Sequence, residues 1–252
     1  MNNNNIKKLI IGDMLGAFVS FIVVSYIISL FSAIKLLEIS TIIVLIFLFR
    51  YFNKLSLSGF KKYLPILSVI VIALFSYAID IKLITILFPY MLIVIFENNV
   101  KNVQIRKCTN IIFALLGYII VLFFMQDLML FVLLGMLLHI LLILSREFFY
   151  DCTLIDEKRK DYLDLIQKRF FTGRFIIYIF FAYSPFPIAL KMVGWLYILL
   201  LFLVIDIPFI TFIVYLRLTH RSENFKRIIN LITYSIPVFY IILLIGRILW
   251  KY

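Results

Sequence analysis

The sequence predicts an all-α fold: a polytopic transmembrane helical bundle of about nine spans, with the N-terminus cytoplasmic. Three observations predict it. Hydrophobic residues make up 65% of the 252-residue chain, and mean hydropathy is +1.12. Soluble domains are close to half apolar, and a water-soluble core could not hide this much Ile, Leu and Phe. The apolar residues fall in blocks long enough to cross a bilayer as helices. The basic residues crowd every second connection between those blocks.

At about 20 apolar residues per crossing, the spans read as 9–33, 36–52, 64–80, 82–97, 110–126, 128–146, 173–190, 193–216 and 227–248. The first follows Asn2 to Asn5 and the pair Lys7 and Lys8. No signal-peptide cleavage pattern precedes it, so it is expected to stay as a span. The third and fourth are short and are divided only by Asp80 and Lys82.

Charge fixes the expected direction. With the N-terminus inside, twenty of the 25 basic residues fall in inner segments. The outer segments hold only Lys35, Lys82, Lys191, Arg247 and Lys251. Inner connections (51–63, 98–109, 147–172, 217–226) are also longer than outer ones, so the inner face has the material for chemistry. The net charge of +12 thus reads as topogenic, and nucleic acid is not an expected partner. No linker or repeat divides the chain. Residues 1–252 therefore read as a single transmembrane domain of an integral membrane protein, expected in a bacterial cytoplasmic membrane with membrane lipid as its surroundings. Cys108 and Cys152 both fall on the inner side and show neither disulfide nor metal-ligand spacing.

The connection from Ser145 to Arg174 reads SREFFYDCTLIDEKRKDYLDLIQKRFFTGR. Glu147 and Asp151 are four residues apart and share a face if the sixth helix continues past the membrane. Asp156, Glu157, Asp161 and Asp164 follow. Two readings stay open. One is a cation site, because Mg²⁺ takes carboxylate oxygens and bridges them to a substrate diphosphate. The other is a solvated interfacial helix of mixed charge. The loop after the second span carries Asn53, Lys54, Ser58, Gly59, Lys61 and Lys62, and no carboxylate.

Asp13, His139 and Asp206 lie within spans, where an ionisable group needs a reason. Asp206 precedes Pro208, which removes a backbone donor and bends the helix. It reads either as a hydrogen-bonded structural group or as part of a cavity. His139 reads as an interhelical hydrogen-bonder or as a ligand. No GxxxxGK[ST], HExxH, CxxC or GxSxG pattern occurs, so nucleotide hydrolysis, zinc proteolysis and serine acyl transfer have no support.

Several short stretches together resemble the UbiA superfamily of intramembrane prenyltransferases. Arg146-Glu147-x-x-x-Asp151 is similar to the start of that family's second aspartate motif. Asn53-Lys54-x-x-x-Ser58-Gly59 resembles its NKPLPSG-like stretch. Lys101 to Gly117, with Asn110 opening the fifth span, resembles the K…N…G approach to the fifth helix, and Lys226 matches a basic residue before the ninth. Two departures make the chain divergent. The family's first motif, NDxxDxxxD, is missing, because Tyr51 to Gly59 holds no acid. Leu154 also stands where a second-motif carboxylate is expected. Asp156 would have to substitute, although five residues on it lies about 140° round a straight helix.

The resemblance implies a prenyltransferase that transfers an isoprenoid group from a polyprenyl diphosphate to an unknown acceptor at the cytoplasmic face. It implies Asp151, Glu147 and Asp156 as catalytic Mg²⁺ ligands. It implies Arg146, Lys54, Asn53 and Lys101 as substrate contacts. The alternative is a non-catalytic membrane protein: a permease or carrier subunit, or a pseudoenzyme that keeps the fold.

Overall fold

In the computed structural model, residues 3–54, 63–97, 103–125, 130–155, 161–191, 193–219 and 222–250 are described. Among them the chain is helical apart from short turns, with no strand. Among the described residues, five helical stretches are long and apolar enough to cross a membrane: Ile10–Ile27, Leu130–Cys152, Tyr162–Ala189, Trp195–Leu216 and Asn224–Trp250. A sixth is added if the bent pair Lys107–Ala114 and Leu116–Phe124 counts as one span. The chain therefore carries several membrane-length apolar helices, as expected of an integral membrane protein.

The helices gather into two compact units, residues 1–128 and 129–252. In the first unit, α1 (Asn3–Ile27) and α2 (Ala33–Lys54) form an antiparallel pair. α2 carries Lys35, Glu38, Arg50 and Lys54 along its 22 residues. α3 (Leu64–Ile79) and α4 (Ile81–Phe96) are 16 residues each, only about 24 Å at 1.5 Å per residue. Asp80 lies between them, and its side chain accepts from the Lys82 backbone N–H at 2.9 Å, which caps α4. α5 (Val103–Ala114) and α6 (Leu116–Phe124) meet at a 53° bend around Leu115.

Close backbone approach locks this unit. A Cβ added at Gly117 would sit 2.3 Å from the Ala17 carbonyl oxygen and 2.7 Å from Ser20 Oγ. The absence of a side chain thus lets α6 lie directly against α1. Lys35 Nζ lies 3.7 Å from Asp80 Oδ2, so the α1–α2 and α3–α4 turns share one end of the unit. The ends of α2 and α4 meet at the other.

In the second unit, α7 (Leu130–Cys152) packs along α8 (Tyr162–Tyr183) and against α12 (Ser222–Trp250). α8 ends at Tyr183, and after Ser184 and Pro185 α9 (Phe186–Ala189) makes one further turn. α10 (Trp195–Leu201) passes through a π-helical segment, Phe202–Asp206, into α11 (Ile207–Thr219). Pro208 stands two residues beyond it, so the bend expected at this proline coincides with wider helical turns just before it. Gly194 donates its N–H to the Gly246 carbonyl at 3.2 Å, which places the start of α10 beside the end of α12.

Several expected spans differ in extent: the first, 9–33, ends as helix at Ile27, and the fifth, 110–126, starts as helix at Val103 and is bent. The seventh, 173–190, begins as helix already at Tyr162. The charged stretch before Arg174 supports helix as readily as the apolar stretch after it, since Leu, Gln, Lys and Arg are all good helix formers. The sixth, 128–146, runs on to Cys152.

Candidate functional site

The end of α7 is built from its own sequence spacing. Because α7 continues unbroken to Cys152, Glu147 and Asp151 stand one turn apart on one face. Both are buried, and Arg146 beside them is fully enclosed. Arg146 Nη2 donates to Glu147 Oε1 at 3.1 Å. Asp151 Oδ2 lies 3.3 Å from Arg169 Nη1 of α8. Phe149, buried on another face of α7, meets Phe170 at a 6.0 Å ring separation. It also presses on Gly173, where a Cβ would come within 3.2 Å of its ring. The packing of α8 on α7 thus brings Arg169 to Asp151 across eighteen residues of chain.

The first unit holds a second charged cluster at the joined ends of α2 and α4. Arg50 and Asp13 are 1% and 2% exposed, inside a unit otherwise packed with Ile, Leu and Phe. Arg50 grips Glu97 with two parallel hydrogen bonds, Nη2 to Oε1 at 2.7 Å and Nε to Oε2 at 3.0 Å. It also donates to Asn110 Oδ1 on α5. Its Nη1 lies 3.6 Å from Asp13 Oδ2 on α1, and its guanidinium carbon sits 4.2 Å over the Phe113 ring. One side chain therefore contacts α1, α5 and the end of α4. Lys54 Nζ adds a 2.7 Å contact to Glu97 Oε1. Burial, reinforced by the nearby Arg50 charge, holds the Lys54 ammonium below its ordinary range despite Glu97.

The sequence-derived site residues distribute as follows. Glu147, Arg146 and Asp151 lie together at the end of α7. Lys54 and Asn53 lie at the end of α2, where Lys54 faces Glu97 and the Asn53 amide donates to the Val94 carbonyl. Asp156 and Lys101 lie outside the described residues. Among the described residues no group of three His, Cys, Asp or Glu side chains comes together as a metal site.

Sequence reasoning counted Arg50 as a topogenic charge and gave Glu97 no role. The available signal was that two spans end on opposite charges at the same side. His139 meets Tyr240 of α12, Nδ1 to hydroxyl 2.8 Å, so it is an interhelical hydrogen-bonder. Asp206 sits within the π-helical segment with its Oδ1 buried and, among the described residues, unbonded.

Comparison adds no relative. No protein-family model, no curated protein and no solved structure matches the chain. The functional reading therefore rests on the residues and their geometry.

Proposed function

We propose that the chain is a divergent UbiA-type membrane prenyltransferase. In this reading nine spans run from a cytoplasmic N-terminus in a bacterial cytoplasmic membrane. A polyprenyl diphosphate binds at the cytoplasmic end of α7, and an acceptor receives the isoprenoid group. One observation carries the reading. Two buried carboxylates, Glu147 and Asp151, stand one turn apart at the end of a membrane-length helix, with Arg146 and Arg169 against them.

The chemistry needs cations placed where negative charge develops. As the allylic C–O bond breaks, electrons move onto the departing diphosphate, and preorganised positive groups lower that barrier. Arg146 would hold the diphosphate oxygens, and the guanidinium fork suits them geometrically. Glu147 and Asp151 are hard oxygen donors of the kind Mg²⁺ takes. Each also faces a guanidinium, so the reading needs Asp156 as the third ligand. Bound there, Mg²⁺ would supply a Lewis acid for the diphosphate.

The test is Asp151→Ala, assayed for prenyl transfer in isolated membranes. Transfer is expected to be lost, and undiminished transfer removes the catalytic reading. A second reading has its own support. Asp151 and Lys54 are already occupied by Arg169 and Glu97, and residues 51–59 lack carboxylates, as in a pseudoenzyme or carrier subunit that keeps the fold. It predicts diphosphate binding without turnover, or no diphosphate binding at all.

A further inference from the structure

Arg174 on α8 differs from the arginines of the two clusters. Arg50, Arg146 and Arg169 each face a carboxylate of their own unit. Arg174 has no hydrogen bond or ion pair among the described residues. It is ringed by aromatics instead. Its guanidinium carbon lies 5.4 Å from the Phe171 ring centroid, 5.7 Å from Phe170 and 5.8 Å from Tyr178. These distances fall within cation–π range.

Phe170 belongs to the unit's core, but the other two rings, and Phe175 beside them, are not covered by it. Phe171 is 59% exposed, Phe175 54% and Tyr178 47%. Phe171 and Phe175 stack with planes 7° apart. Helical spacing puts Gln167, Phe171, Arg174, Phe175 and Tyr178 on one face, and Gln167 is exposed as well.

The position along α8 is as telling as the surroundings. Asp161, Asp164, Lys168 and Arg169 precede Arg174, and no charged residue follows it until Lys191. Arg174 is thus the last charge before an uninterrupted apolar stretch, the depth at which a bilayer presents its phosphates. An arginine there keeps its stem in apolar surroundings and its head at the polar layer. The flanking rings suit the same layer, being apolar bodies that tolerate a polar neighbour.

We propose that this face of α8 is a docking site for an anionic phospholipid. The planar guanidinium of Arg174 binds the lipid phosphate through paired N–H donors, and the acyl chains lie along Phe175 and Tyr178. Charge complementarity selects the occupant: the site offers one uncompensated cation and apolar rings, and an anionic phospholipid offers a phosphate and chains. The rings limit the guanidinium's freedom, so less is lost when the phosphate binds. This site is separate from the carboxylates at the end of α7 and does not depend on prenyl transfer.

The experiment uses the purified full chain in detergent, titrated with phosphatidylglycerol and followed by native mass spectrometry of lipid adducts. Arg174→Gln is expected to weaken the tightest lipid-binding step about tenfold, as the loss of a charge-assisted hydrogen bond implies. Arg174→Lys, which keeps the charge without the fork, is expected to fall between. Arg227→Gln, at an exposed arginine, is expected to change binding by less than about twofold. Phosphatidylcholine is expected to bind more weakly than phosphatidylglycerol, and inorganic pyrophosphate is not expected to displace the lipid. The proposal is overturned if Arg174→Gln binds like wild type, or if Arg227→Gln weakens binding equally. It is also overturned if phosphatidylcholine binds as tightly, or if pyrophosphate competes, which would assign Arg174 to a soluble phosphate. Should Arg174→Gln fail to fold, Arg174→Lys decides: weaker binding than wild type supports the fork, and equal binding removes it.

Discussion

Arg50 and Glu97 form a two-bonded ion pair buried inside the first unit, with Nη2–Oε1 at 2.7 Å and Nε–Oε2 at 3.0 Å. Forty-seven residues separate them along the chain. The pair ties the end of α2 to the end of α4, and Asp13 and Lys54 balance its charges on either side. Desolvating such ions is costly, and the cost is offset only while every partner is present. Arg50→Met would remove the guanidinium from between Asp13 and Glu97, both of which are buried. We expect a loss of about 3–5 kcal/mol in unfolding free energy, read from denaturant unfolding of the purified protein in detergent. Glu97→Gln should cost less, because its amide oxygen still accepts from Arg50. The two substitutions combined should depart from additivity by about 0.5–3 kcal/mol. An Arg50→Met variant as stable as wild type would show that the guanidinium is not a hub.

The approach of α6 to α1 gives a second prediction, and a ranking. A methyl group at Gly117 would overlap the Ala17 carbonyl, a backbone atom that cannot swing away. Gly117→Ala should therefore force the helices apart and cost about 1–3 kcal/mol. Gly173→Ala meets the Phe149 ring edge at 3.2 Å and the Phe148 Cβ at an ordinary 3.4 Å. There the helix-propensity gain of Ala over Gly, about 1 kcal/mol, works against the crowding. Thermal unfolding in detergent should show a clear drop for Gly117→Ala and a much smaller shift for Gly173→Ala. Equal shifts would contradict the packing described.

Much of this fold was legible in the sequence, for physical reasons. Long apolar runs favour helix, so α3, α4 and α12 were anticipated as helices to within several residues. Two features were not. The 53° bend at Leu115 has no proline or glycine at the break itself, and α8 starts 11 residues before its expected span because mixed-charge sequence is also helical. At the candidate site, the spacing of Glu147 and Asp151 was legible because an i, i+4 relationship is local. The partners Arg169 for Asp151 and Glu97 for Arg50 were not, since each depends on which helices pack together. Asn53 and Lys54 were read as ligand contacts from their motif alone, and tertiary packing gives both a partner within the unit.

The last prediction concerns the hydrogen bond between His139 and Tyr240, 2.8 Å across α7 and α12. Both residues are buried, and their rings meet edge-on at 5.5 Å. Tyr240→Phe removes the hydroxyl and keeps the ring, so packing and the aromatic contact are preserved. The loss then isolates the hydrogen bond, about 0.5–1.5 kcal/mol for a neutral pair. Burial of both groups argues for the upper part of that range. His139→Ala removes both the bond and the ring, and should cost more through the cavity it leaves. Unfolding of the two variants in the same detergent should separate these contributions. If Tyr240→Phe matches wild type, the hydroxyl contact adds nothing to stability, and packing alone joins these helices.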